Sequence, residues 1–149
     1  MIVVCVPGEP VGKGRPRVTV RGGRPAMYTP EKTASYEQLV RAEAVRAMRG
    51  GELLAGPVEL VLEIYAGIPA SYSKKKREAA RDGHIVPTKK PDIDNVIKAV
   101  CDAFNGVVWV DDVQVVDLHA TRRFSDEPKI FATVRLLDFS PLALAAITD

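Results

Sequence analysis

Histidine and cysteine are scarce in this chain: its 149 residues contain only Cys5, Cys101, His84 and His119. Two cysteines are too few for a disulfide framework or a structural zinc site, so a reducing, cytoplasmic setting is expected. Two histidines all but exclude a multi-histidine metal site. Both read as incidental, and any metal falls to carboxylates. No apolar run approaches the roughly 18 residues that span a bilayer, so no membrane segment is expected. The opening Met1-Ile2-Val3-Val4-Cys5-Val6 is too short for a secretory core and has no basic lead. With 46% hydrophobic and 27% charged residues, residues 1–149 read as one globular domain rather than a disordered chain. A chain of this size buries roughly 68–70% of its unfolded surface and needs no staples.

The net charge of +2 hides a segregation. Residues 10–24 carry Lys13, Arg15, Arg17, Arg21 and Arg24 and no acid. Residues 73–90 carry Lys74, Lys75, Lys76, Arg77, Arg81, Lys89 and Lys90 against Glu78 and Asp82. Residues 91–117 reverse the sign, with Asp92, Asp94, Asp102, Asp111, Asp112 and Asp117 against Lys98 alone. Either basic cluster alone is compatible with a solvated surface. Together they suit a polyanion such as nucleic acid. An acidic cluster beside them would repel that polyanion unless it held a divalent cation.

Ile2 to Val6 reads as a buried strand ended by Pro7-Gly8. Residues 7–28 read as an extended Gly/Pro/Arg loop, with a possible strand at 17–21. Thr29 and Pro30 suit the N-cap and first turn of a helix running to about Arg49, with Tyr36, Val40, Ala44 and Ala47 on one face. Val58, Leu60, Leu62 and Ile64 alternate as in a half-buried strand. Ser73 suits the cap of a short helix, 74–81, inside a basic connector. A second main helix is expected from about Asp92 to Asn105, with Ile93, Val96, Ile97, Val100 and Phe104 as its apolar stripe. Residues 113–123 and 129–137 read as strands joined by Ser125-Asp126-Glu127-Pro128 in an antiparallel hairpin. The expected fold is α+β: a small mixed β-sheet with two main helices in the order β-α-β-α-β-β.

Asp92-Ile93-Asp94-Asn95 opens that second helix. Capping alone accounts for one acid there. Two converge only if Asp92 sits outside the helix and Asp94 in its first turn. Asp94, Lys98 and Asp102 are spaced by four, as in an exposed ion-pair ladder. The alternative sets the Lys98 ammonium beside the acids, to hold a carboxylate or to stabilise charge developing on a phosphate. Asp111-Asp112 alone suits a turn. Read as strand residues, the two point to opposite faces. The side of Asp112 stays apolar for longer, so Asp112 is placed under the helix as the site residue, with Asp111 its neighbour on the solvent side or supporting it from behind. Three carboxylates without histidine form a hard oxygen site suited to Mg²⁺. Mg²⁺ beside nucleic-acid grips is the equipment of phosphodiester hydrolysis.

The runs Lys90-Pro91-Asp92-Ile93-Asp94-Asn95-Val96-Ile97-Lys98, Asp102-Ala103-Phe104-Asn105-Gly106 and Trp109-Val110-Asp111-Asp112-Val113-Gln114-Val115 resemble the RusA family of Holliday junction resolvases. The likeness is tight over about 25 residues and looser over Pro7–Arg17 and the last two strands. It implies a homodimeric, Mg²⁺-dependent endonuclease, bacterial or phage-encoded, that nicks two opposed strands of a four-way DNA junction in recombination and repair. No small-molecule cofactor is implied. Residue by residue, Asp92, Asp94 and Asp112 match the metal-binding aspartates and Lys98 the essential lysine. The basic segment 69–90 is longer than its best-known enterobacterial counterpart, so junction contacts do not transfer. The expected DNA-binding residues are therefore read from charge: Lys13, Arg15, Arg17, Lys74, Lys75, Lys76, Lys89 and Lys90. The alternatives are a metal-dependent nuclease acting on other branched DNA, and a non-catalytic nucleic-acid-binding module whose acids only cap a helix. Trp109 and Tyr28 read as packing residues rather than base-stacking ones.

Overall fold

The computed structural model describes residues 1–14, 17–28 and 31–139, with backbone only at 17–21 and 24–28. Thr29, Pro30 and Arg15 lie outside the described residues, as do the side chains of Arg17 and Tyr28. The strands are β1 (Ile2–Pro7), β2 (Arg17–Arg21), β3 (Arg24–Tyr28), β4 (Val58–Gly67), β5 (Val115–Ser125) and β6 (Lys129–Leu136). The helices are α1 (Glu31–Met48), α2 (Lys74–Arg81) and α3 (Ile93–Phe104). A 3₁₀ turn, Asp112–Gln114, precedes β5. The fold is α+β, as expected, with the small β2–β3 hairpin and α2 added to the two main helices.

β4 is central because both of its neighbours need its apolar face. Val58, Leu60, Leu62 and Ile64 are buried, and the residues between them are half-buried or exposed. β1 contributes Val4 and Val6 to that face, and β6 contributes Ile130, Ala132 and Val134. α1 lays Tyr36, Val40, Ala44 and Met48 against it, and α3 lays Val96, Val100 and Phe104. The opposite face of the sheet carries no helix among the described residues.

The sheet order is β1-β6-β4-β5. This corrects the expected hairpin: β5 and β6 do not pair, because β4 lies between them, parallel to β5 and antiparallel to β6. The connecting Ser125–Pro128 stretch has no Asn-Gly or Asp-Gly pair to enforce a tight hairpin. Apolar alternation, strongest in β4 and β6, then decides the pairing. β5 is left at the edge, where its mostly exposed pattern belongs.

A second correction concerns where β5 begins. The residues from Asp112 to Gln114 form a 3₁₀ turn, not strand. A register shift follows: Val58 pairs with Val115, but Glu59 pairs with Asp117. The skipped Val116 is exposed, and Val115 packs against the core. The strict alternation expected from Asp111 onward therefore does not hold through this stretch.

Candidate active site

The N-terminus of α3 carries the first acids. Asp92 is the N-cap residue by backbone conformation, but its side chain makes no capping hydrogen bond. Capping therefore does not consume its oxygens. Asp94 lies in the first turn, and both residues are exposed. Placing Asp92 outside the helix and Asp94 within it is the arrangement that lets two acids two residues apart face one region. One turn on, the Lys98 Nζ lies 3.8 Å from Asp102 Oδ2. Lys98 thus pairs with Asp102 rather than with Asp94.

Asp112 approaches α3 from the 3₁₀ turn. Its carboxyl is raised above the usual carboxylate range, first by desolvation, then by a hydrogen bond with Asp111 and the charges of Asp111 and Asp102. The Lys98 ammonium opposes that shift. Asp111 and Asp112 are therefore side-chain neighbours, not residues on opposite faces of a strand as the sequence suggested. The reason is the turn, which replaces the two-residue alternation. Cys101 on α3 senses the same charges. Burial, then Asp112 and Asp102, push its thiol up to about 12. Such surplus negative charge, in hard oxygen donors, fits a small dication.

Residues without chemistry of their own hold the turn there. Trp109 is fully buried, donates Nε1–H to Asn105 Oδ1 at 2.7 Å and meets the Phe104 ring edge-on at 5.4 Å. Trp109 is thus core, as expected. The Gln114 amide donates to the carbonyls of Leu54 and Gly56, both at 2.9 Å. Its Oε1 accepts the N–H groups of Val110 and Asp111 at 2.9 and 3.2 Å. No role for Gln114 is evident from the sequence alone. The signal was its place at the end of the Asp-Asp turn, where an amide can satisfy donors and acceptors together.

The N-terminal loop crosses the same helix end. Lys13 donates its backbone N–H to the Asn95 carbonyl at 2.8 Å, and Gly14 donates to Thr33 Oγ1 at 3.2 Å. A Cβ on Gly12 would lie 2.9 Å from the Pro91 Cβ and 3.0 Å from the Asn95 Cβ, so the approach needs glycine. The Lys13 ammonium is drawn inward, bonded to Glu37 and 3.3 Å from Asp102 Oδ2. In this structure it is tied to these two acids. Lys32, Lys90, Pro91 and Asp92 line a groove of about 310 Å³ beside this loop.

The other expected grips lie on the connector. Ser73 caps α2 by accepting the Lys76 N–H at 3.2 Å, and Ala80 is buried under the helix. Lys74, Lys75 and Lys76 are exposed, with Lys76 4.1 Å above the Tyr72 ring. Lys89 and Lys90 are exposed immediately before Asp92, and Arg122 Nη2 bonds the Lys89 carbonyl at 2.6 Å.

The RusA endodeoxyribonuclease family model matches residues 7–135. The chain belongs to the RusA family. It is also 41% identical over 136 residues to a Bacillus subtilis (strain 168) protein named Uncharacterized protein YqaN, covering 90% of this chain and 95% of that one. Membership makes the protein an endodeoxyribonuclease of a family that acts on Holliday junctions, with branched DNA as its partner. RusA nucleases are metal-dependent. No helix among the described residues is long and apolar enough to cross a membrane.

This RusA-family chain holds one further acidic cluster, among the described residues, that its sequence does not make evident. Glu59, Asp117 and His119 bring potential ligand atoms within 4.8 Å of one another on the sheet face away from the helices. Asp92, Asp94 and Asp112 do not close to that separation. His119 Nε2 is 3.3 Å from Asp117 Oδ1, while Arg135 Nη2 already holds Glu59 Oε1 at 3.2 Å. The available signal was the Asp117-x-His119 alternation; the cross-strand partner Glu59 required the β4–β5 register.

Proposed function

We propose that this RusA-family enzyme is an Mg²⁺-dependent Holliday junction resolvase. In this reading it acts as a cytoplasmic homodimer in recombination and repair, placing paired symmetric nicks in four-way junctions. The observation that carries the reading is that Asp112 reaches the Lys98–Asp102 stretch of α3, the helix whose first turn carries Asp94 and whose N-cap residue Asp92 makes no capping hydrogen bond. Asp92, Asp94 and Asp112 would hold the ion, because they are hard oxygen donors suited to a small dication. When bound, the ion supplies Lewis acidity toward the phosphate and the attacking water. Lys98 presents an ammonium that stabilises charge developing on the phosphate, and Asp102 restrains it. Lys89, Lys90 and the exposed lysines of α2 would grip the flanking backbone. Arg15 and Arg17 would add to that grip by their charge. The open β5 edge supports a two-fold contact, with Val116 and Leu118 exposed along it and Val113 exposed in the turn before it.

The test is a synthetic four-way junction and a matching linear duplex, each incubated with Mg²⁺ or EDTA. Wild-type protein should nick the junction at paired sites with Mg²⁺ only. Asp92→Asn, Asp94→Asn and Asp112→Asn should each abolish nicking and bind the junction as well or more tightly, since less negative charge faces phosphate. Nicking that persists in EDTA, or in all three variants, would overturn the assignment of these carboxylates.

A further inference from the structure

A second cavity, of about 210 Å³, adjoins the groove at Asp92, and Pro10, Lys90 and Pro91 line both. It lies at the C-terminal ends of the parallel strands β4 and β5, roofed by the connector that carries α2. Its walls are apolar and aromatic: Ile64, Tyr72, Val86, Pro87 and Phe124. Tyr72 and Phe124 meet edge-on with centroids 6.0 Å apart. Lys89, Lys90 and Arg122 contribute its cationic groups. The acid that reaches it, Glu9, accepts the Gly67 N–H at 2.9 Å through Oε1. A hollow with apolar walls and a few charged groups is the usual form of a small-ligand site. The charge here selects a ligand joined to phosphate, and the aromatic wall selects a flat one.

We propose that this cavity receives a single nucleobase of the DNA substrate, unstacked from the strand whose phosphate lies at Asp92. The inference rests on the proposed nuclease reading and deepens it, because a base seated there would set which sequences are nicked. Tyr72 and Phe124 offer the base an aromatic surface, which every base can use. Arg122 spends one N–H group on the Lys89 carbonyl at 2.6 Å, and its remaining N–H groups suit acceptors on a base edge. Lys89 and Lys90 lie where they would hold the phosphates on either side. Unstacking is less costly at a junction's crossover, where the bases stay paired but the continuous helical stack is interrupted.

The experiment uses full-length protein and a four-way junction carrying 2-aminopurine at successive positions around the crossover. Fluorescence is read in EDTA, so the result does not depend on catalysis. One position should brighten on binding. Val86→Trp, which fills the cavity from a partly exposed loop residue, should abolish that signal when read at protein concentrations that saturate the junction, so that weaker binding does not enter. Tyr72→Ala should weaken it. With Mg²⁺, both variants should lose about tenfold in preference among nick sites, the scale of one base-stacking contact. No brightening at any position, or equal brightening in Val86→Trp, would overturn the pocket. Absence of nicking by wild-type protein would instead overturn the nuclease reading, while the fluorescence scan decides the pocket by itself.

Discussion

Lys13→Met separates two roles for the N-terminal basic loop. The Lys13 side chain is only 20% exposed and is held by Glu37 and Asp102, themselves 23% and 26% exposed. Burial alone would lower its ammonium pKa. The hydrogen bonds and charges of Glu37 and Asp102 outweigh burial and raise it above 10.5. A group raised in the folded state stabilises the fold fully below its unfolded pKa. That stabilisation is lost as pH rises through the folded value, so Lys13 should contribute throughout the neutral range and fade only above about 10.5. A hydrogen bond to a charged group contributes about 1.5–3 kcal/mol. Lys13→Met should therefore cost about 2 kcal/mol. With an m-value of about 2 kcal/mol per M in urea, the midpoint should fall by about 1 M. Adding Glu37→Gln should recover part of the loss, because one stranded carboxylate is removed. The variant's log affinity for a junction should keep its slope against log salt, since Lys13 releases no counterion. Unchanged stability with a slope lowered by about one unit would refute the tether and restore Lys13 as a phosphate grip.

Asp111→Asn should lower the Asp112 pKa, because it removes a hydrogen-bonding, negatively charged neighbour; carboxyl ¹³C titration of metal-free protein reads it, and no downward movement would contradict the coupling. Trp109→Phe strands Asn105 Oδ1 and leaves a gap, and should cost about 2–3 kcal/mol in urea unfolding without altering junction contacts. The β5 edge predicts a dimer mass by light scattering at micromolar concentration. Val116→Asp should shift the protein toward monomer and uncouple the paired nicks. A wild-type monomer that persists on bound junction would refute the symmetric mechanism.

Much of this fold was legible because its apolar periods are long. Val58 to Ile64 alternates cleanly, and Val96, Val100 and Phe104 of the expected α3 stripe are buried, while Ile93 at its start is exposed and Ile97 only partly covered. Ser73 as the cap of α2 was legible for a local reason, a hydroxyl answering an orphan N–H. What failed was non-local. Whether β5 pairs with β6 depends on what β4 offers both strands, and a polar turn between two strands cannot reveal it. The acid partners of Lys13 were not legible either. Its partners lie 24 and 89 residues away, and a basic run carries no record of acids that distant.

The Asp111-Asp112 pair shows how a local error can leave a site intact. Strand alternation was the wrong reason to favour Asp112, because the backbone there is a 3₁₀ turn. Asp112 nevertheless senses Asp102 and Lys98 on α3. The return path from α3 accounts for it. Asn105 and Trp109 close the helix end by their own hydrogen bond, and Gln114 ties the turn to Leu54 and Gly56 just before β4. With both ends of the 105–114 segment fixed, the turn between them has little freedom, and Asp112 is carried to the helix whatever its strand phase would have been. The motif therefore contains two kinds of residue. Asp92, Asp94, Lys98 and Asp112 offer charge, while Asn105, Trp109 and Gln114 supply the geometry that makes the charge useful. A spacing of fixed length between acids has meaning only because the second group enforces it.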